Sequence, residues 1–150
     1  VILMHENEKD IYGDVLSRCV DLMQTLNSAH FKSAFDFANF VQCGEDTAEC
    51  WDALRPYIVY IHIKDAVSTD KENVLCGTGE GKIPELLHKA IVEEGYTGFL
   101  TLEPHLVLFD SLQSLETTDA KNIIRENKYK NGAEGYAAQY HALCDILAKF

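Results

Sequence analysis

The stretch Tyr57-Ile58-Val59-Tyr60-Ile61-His62-Ile63 decides the fold. Its β-branched and aromatic residues read as a buried strand, and an imidazole sits at its end. Three more short apolar runs, read outward from it, close on a titratable side chain in the same way. Val1-Ile2-Leu3-Met4-His5 leads to Glu6, Phe31 to Phe35 leads to Asp36, and Phe99-Leu100-Thr101-Leu102 leads to Glu103. Each interval between these closing residues has room for a loop, a helix and a second loop.

Helical patterns fill those intervals. Asp14 is an N-cap candidate for a helix whose apolar face is Val15, Leu16, Cys19, Val20, Leu22, Met23 and Leu26, ended by Asn27 and Ser28. Glu45 and Asp46 precede a second helix that uses Cys50, Trp51 and Leu54, with Pro56 just past its end. Pro84 suits the first turn of a third, built on Leu86, Leu87, Ala90 and Ile91, with Gly95 as its C-cap. A long polar connection containing Asp119 to Lys130 is expected to be partly helical, and a last helix to cover about Ala133 to Lys149.

Strand and helix therefore alternate four times, which implies α/β architecture with a parallel sheet and right-handed crossovers. An open doubly wound sheet and part of a (β/α)8 TIM-type barrel both fit. A whole barrel takes ~250 residues; four βα units in 150 residues make about half of one. Residues 1–150 read as a single domain without a low-complexity linker. Val1 already lies inside a strand pattern, so the chain is expected to be a fragment, or the ordered part, of a longer protein.

Composition narrows the partners. With 47% hydrophobic residues the chain can bury one core of ordinary size. Thirteen Lys plus Arg against 24 Asp plus Glu give a net charge of −11, and no basic run is present. Such a chain repels phosphate backbones, so no nucleic-acid partner is expected. Cys19, Cys43, Cys50, Cys76 and Cys144 are odd in number and include no C-x-x-C pair, as suits reduced, buried thiols. No apolar stretch nears the ~20 residues of a membrane span, and no signal peptide is visible. The expectation is a cytoplasmic protein without a membrane partner.

If the strands are parallel, Glu6, Asp36, His62 and Glu103 gather at their carboxyl edge. One Asp or Glu at a strand end is ordinarily a helix cap, a loop hydrogen-bond partner or a surface charge, and a lone His between Ile61 and Ile63 is ordinarily a rim or core residue. Four such groups at equivalent ends of successive strands point instead to one divalent metal ion. Oxygen donors with one imidazole favour Mn2+, foremost here, with Mg2+, Co2+ or Zn2+ as alternatives. A metal there can polarise a carbonyl and acidify the neighbouring C–H. Glu6 and Glu103, the two glutamates, are the acid/base candidates.

Gly77-Thr78-Gly79-Glu80-Gly81 before a helix invites a phosphate-loop reading. It lacks the Lys-Ser/Thr of a Walker motif and the spacing of a dinucleotide fold, so a flexible loop beside the site is the better expectation. His5, His30 and His105 lie near strand ends and read as rim or supporting residues. No Ser-His-Asp or Cys-His arrangement can be argued from spacing.

Taken together, His5-Glu6-Asn7, Phe35-Asp36-Phe37-Ala38-Asn39, Ile61-His62-Ile63-Lys64-Asp65, Gly79-Glu80-Gly81-Lys82-Ile83-Pro84 and Leu102-Glu103-Pro104 resemble the xylose-isomerase-like barrel superfamily of sugar and sugar-phosphate isomerases and epimerases. The resemblance covers nearly the whole chain, as the C-terminal half of that barrel, strands five to eight. It implies Glu6, Asp36, His62 and Glu103 as metal ligands and Glu6 with Glu103 as the proton-transfer pair. Asn39, Lys64 and His105 become substrate-binding candidates. Many members carry His where this chain has Asn39, and in the abasic-site endonuclease branch that His helps hold further zinc ions.

The resemblance implies a metal-dependent isomerase or epimerase of a small carbohydrate. The alternatives are an inosose-type dehydratase, an abasic-site phosphodiesterase, and an inactive truncated barrel kept as a scaffold. Open parallel edges are unfavourable, so self-association or a missing N-terminal half is expected to cover them.

Overall fold

A computed structural model describes residues 1–107 and 128–150 of the chain. In chain order the elements are β1 (Leu3–Glu6), α1 (Leu16–Leu26), β2 (Phe31–Asp36), α2 (Phe37–Gln42), α3 (Thr47–Leu54) and β3 (Ile58–Ile63). A small hairpin of β4 (Asp65–Ala66) and β5 (Asn73–Val74) follows, then α4 (Ile83–His88), running into a π-helical turn at Lys89–Glu93. The last two elements are β6 (Phe99–Leu102) and α5 (Gly132–Leu147).

The four main strands form one parallel sheet in the order β1-β2-β3-β6, with helices between them, as the alternation of patterns predicts. Register matters for the site. Asp36 pairs with His62 and Ile63 with Leu102, so Glu103 follows the final pair on the β6 side.

Period-two alternation gives the sheet two unlike faces. On one, Phe35, Ile61 and Ile63 are fully buried against Trp51, Leu54, Leu87 and Ala90 from the helical layer. Phe35 is the centre of an aromatic knot, its ring 5.1 Å from Phe37, 5.2 Å from Phe40 and 5.3 Å from Trp51. On the other face lie Asp36, Tyr60, His62, Phe99 and Thr101, with Thr101 Oγ1 donating to the Tyr60 hydroxyl. Among the described residues no helix covers this second face. Phe99 is 73% exposed and Met4 41%, although parallel sheets are ordinarily covered on both sides. The outer strands β1 and β6 have one pairing partner each. Among the described residues this is the geometry of a partial barrel with an uncovered concave face and unpaired outer edges at β1 and β6.

Three local details differ from the sequence reading. Val15, not Asp14, is the N-cap of α1; the Asp14 carboxylate accepts from the Val15 N–H and pairs with Arg18. The short helix α2 was not anticipated, because Phe37, Ala38, Phe40 and Val41 are all buried and show no amphipathic period. The β4–β5 hairpin likewise lies inside a stretch that reads as a polar loop. Asp46 does cap α3, accepting from the Ala48 and Glu49 N–H groups, and the last helix falls where expected. Of the connection expected to be partly helical, the part from Asp119 to residue 127 lies outside the described residues.

The five cysteines are free thiols, and Cys19, Cys50 and Cys76 are buried. Among the described residues no helix is long and apolar enough to cross a membrane.

Candidate metal centre

The carboxyl ends of the four parallel strands bring Glu6, Asp36, His62 and Glu103 together. One donor atom from each lies within 4.8 Å of the others. His62 Nδ1 is the hub: it is 3.0 Å from Glu6 Oε1, 3.7 Å from Glu103 Oε2 and 3.9 Å from Asp36 Oδ2. Parallel pairing explains the convergence, since every strand in such a sheet ends at the same edge.

Asp36 is held most rigidly. Its side chain is fully buried, and Oδ1 caps α2 by accepting the Asn39 N–H at 2.8 Å. Its backbone is clasped by Asn7, whose Nδ2 donates to the Asp36 carbonyl while its Oδ1 accepts the Asp36 N–H, each at 2.9 Å. Asn7 is itself buried. One amide thus locks the end of β1 to the end of β2, and Glu6 beside Asp36. The other carboxylate oxygen, Asp36 Oδ2, is buried and accepts no hydrogen bond. The Lys64 ammonium stands 3.1 Å away as an ion-pair partner without hydrogen-bond alignment.

Lys64 follows His62 by two residues and therefore shares its face. Its side chain is 5% exposed and reaches Glu103 Oε2 at 2.8 Å. Glu6 and Glu103 are the more accessible carboxylates, with side chains 29% and 35% exposed.

The charges perturb one another. Burial pushes the Asp36 carboxyl up to about 6 although Lys64 pulls it down. Burial also opposes ionisation of Glu103, but the Lys64 ammonium, by charge and by hydrogen bond, holds it below the usual carboxylate range. The hydrogen bond that His62 donates to Glu6 raises the imidazole against its own burial. Lys64 stays protonated because Asp36 and Glu103 outweigh the burial that disfavours its charge.

The chemistry of this donor set fits a divalent cation. Three carboxylates and one imidazole nitrogen are hard or borderline donors, and Asp36 Oδ2, buried and without an aligned hydrogen-bond donor, has its charge met by the Lys64 ammonium alone and keeps lone pairs for a further cation.

The three other candidates occupy different places. Asn39 is fully buried, with Nδ2 3.4 Å from Glu6 Oε1 and 3.3 Å from Glu8 Oε2, beneath the cluster. Lys64 is inside it. His105 is half-exposed at the rim, Nε2 3.8 Å from Glu103 Oε2. His5 Nε2 donates to the Gly13 carbonyl and His30 is exposed, so neither belongs to the cluster.

The glycine loop is tied down rather than flexible. Asp65 Oδ2 accepts from the Gly77 and Gly79 N–H groups, and Oδ1 from those of Gly81 and Ala66. A Cβ at Gly79 or Gly81 would come within 2.5 or 2.8 Å of Asp65 Oδ1, which accounts for the Gly-x-Gly spacing. These N–H groups are spent on a carboxylate of the chain itself. The sequence places Asn7 in the His5-Glu6-Asn7 stretch without assigning it a role, and does not single out Gln139. Gln139 on α5 donates to the Ile63 carbonyl and accepts the Cys76 N–H, fastening the end of β3. A polar residue on the buried side of a helix was the only available signal.

A family model described as a xylose isomerase-like TIM barrel matches residues 1–130. Among the curated proteins, none matches the chain. Among solved structures, D-psicose 3-epimerase, determined in the presence of D-fructose, is similar with a TM-score of 0.70 at 15% identity, over 97% of this chain and 48% of that one. A xylose isomerase domain protein from Planctomyces limnophilus aligns with a TM-score of 0.61 at 20% identity, over 99% of this chain and 45% of that one. The IOLI protein, solved with a bound zinc atom, aligns with a TM-score of 0.59 at 17% identity, over 99% of this chain and 49% of that one. The chain spans a little under half the length of each. At such identities the likeness establishes the fold.

Proposed function

The chain belongs to the family of xylose isomerase-like TIM barrels, and from that premise we propose that it works as a divalent-metal-dependent isomerase or epimerase of a sugar or sugar phosphate. The observation that carries this reading is the convergence of Glu6, Asp36, His62 and Glu103 within 4.8 Å. The epimerase and zinc-bound neighbours agree with it.

Glu6, Asp36, His62 and Glu103 would hold the cation, which when bound would polarise a substrate carbonyl and acidify the adjacent C–H. Asp36 is buried and committed to capping α2, so it serves as a fixed ligand and not as a base. Glu6 and Glu103 stand at opposite sides of the cluster, on strands separated by β2 and β3. Either carboxylate can take a proton from carbon and the other return one. Lys64 keeps Glu103 ionised near neutral pH, as a base requires. The open edges at β1 and β6, with Met4 and Phe99 on the uncovered face, are the surfaces that further βα units would close.

The test is elemental analysis of the purified protein after equilibration with Mn2+, beside a His62→Ala/Glu103→Gln double variant. About one ion per wild-type chain and none in the variant is the expected result. Ketose substrates incubated in D2O should then acquire deuterium on the carbon next to the carbonyl. Absence of metal from the wild-type protein, or equal uptake by the variant, refutes the assignment.

A further inference from the structure

The Lys64 ammonium is the one cation among the described residues that lies within 3.1 Å of two carboxylates of the cluster, Glu103 Oε2 at 2.8 Å and Asp36 Oδ2 at 3.1 Å. These are the same oxygens that face His62 Nδ1. We propose that Lys64 sets the metal affinity of this centre, acting as a built-in counter-cation that competes with the divalent ion for Asp36 and Glu103. The inference rests on the metal-centre reading above and deepens it.

Three observations carry it. Lys64 is almost wholly buried, so water cannot substitute for its partners, and its charge is compensated by the cluster alone. Its alignment is lopsided: it donates to Glu103 but only approaches Asp36 Oδ2, which is left accepting no hydrogen bond. One oxygen is satisfied and the other is kept available. The charge count is also specific. Glu6, Asp36 and Glu103 contribute three negative charges and Lys64 one positive, leaving two for a divalent cation to neutralise. Without Lys64 the empty cluster would carry three uncompensated negative charges and attract a divalent cation more strongly.

The consequence is directional. The ammonium stabilises the empty cluster and repels an incoming cation, and both effects weaken binding. Removing the charge tightens binding at the expense of the empty protein. Lys64 is thus a positioning and affinity-setting residue, not a ligand.

The test is Mn2+ titration by calorimetry on wild-type protein and on Lys64→Gln, Lys64→Met and Lys64→Arg, with circular dichroism to confirm folding. Lys64→Gln and Lys64→Met should bind Mn2+ at least tenfold more tightly than wild type. Both should unfold at lower urea than wild type when metal is chelated, and recover when metal is added. Lys64→Arg, which keeps the charge, should stay within about threefold of the wild-type affinity. Unchanged or weaker binding in both neutral variants, while wild type binds, overturns the role of Lys64 and leaves the metal centre standing. No binding by any of the four overturns the centre and this role together. If one neutral variant fails to fold, the other decides.

Discussion

Replacing Asp65 by Asn changes one atom of the carboxylate and tests how the glycine loop is held. The two oxygens divide four donors: Oδ1 takes Ala66 and Gly81 N–H, each at 3.0 Å, and Oδ2 takes Gly77 and Gly79 N–H, each at 2.9 Å. An amide has one oxygen. Whichever pair it faces, its NH2 group meets the other pair donor to donor. Two charge-assisted hydrogen bonds are lost, at about 1.5–3 kcal/mol each. Removing a buried charge recovers some desolvation, so the net loss should fall near the lower end, about 3 kcal/mol. The loop cannot slide to compensate, because Gly79 and Gly81 already approach the carboxylate as closely as a missing Cβ permits. Urea unfolding measures the loss, and amide hydrogen exchange localises it. Exchange at Gly77, Gly79 and Gly81 should accelerate while the Ile61 and Ile63 amides keep their protection relative to the global unfolding limit. A loss below about 1 kcal/mol with unchanged exchange at the three glycines would refute the claim that Asp65 carries the loop.

Two further outcomes can be checked on the same protein. Asn7→Ala removes both hydrogen bonds to the Asp36 backbone and orphans the buried Asp36 N–H, so urea unfolding should register a loss of about 1–3 kcal/mol, with weaker Mn2+ binding in calorimetry as Asp36 loses its clasp; retention of both stability and affinity would contradict the clasp. The second outcome is a pH dependence of the metal-free protein. Asp36 titrates higher folded than unfolded, about 6 against 3.8, so its contribution is fully present below pH 3.8 and is lost as pH rises through about 6. Two pKa units correspond to about 3 kcal/mol. His62, also raised, acts in the same sense at somewhat higher pH, whereas Glu103, lowered, acts oppositely but only on the acid side of its unfolded value. In chelator, stability should therefore fall between about pH 4.5 and pH 6, and Asp36→Asn should flatten that fall; a flat wild-type profile there would show that Asp36 ionises in the folded protein as freely as in water.

Much was legible without coordinates because it depends on short-range rules. The runs ending at Glu6, Asp36, His62 and Glu103 are strands by residue type and length, and the intervening helices have amphipathic faces, as at Cys19 and Met23. Alternation of the two leaves few topologies, and a parallel sheet puts all strand ends at one edge. The candidate cluster thus followed from counting strands. Where burial is complete on every side, as in α2, the periodic signal vanishes, and where a turn is capped by one residue instead of its neighbour, as at Val15, the pattern cannot tell them apart.

The linear order of residues determined which side chains could meet: strand ends, their acids and imidazole, and the Gly-x-Gly spacing beside Asp65. Only the tertiary structure decided how they meet. It turned Asn7 into a clasp between two strands, spent the glycine N–H groups on Asp65, and drew Lys64 between Asp36 and Glu103. The physical reason is that hydrophobic periodicity is a property of neighbours along the chain, whereas a buried hydrogen bond or ion pair depends on distances between residues 12 to 39 positions apart, set by strand register and burial.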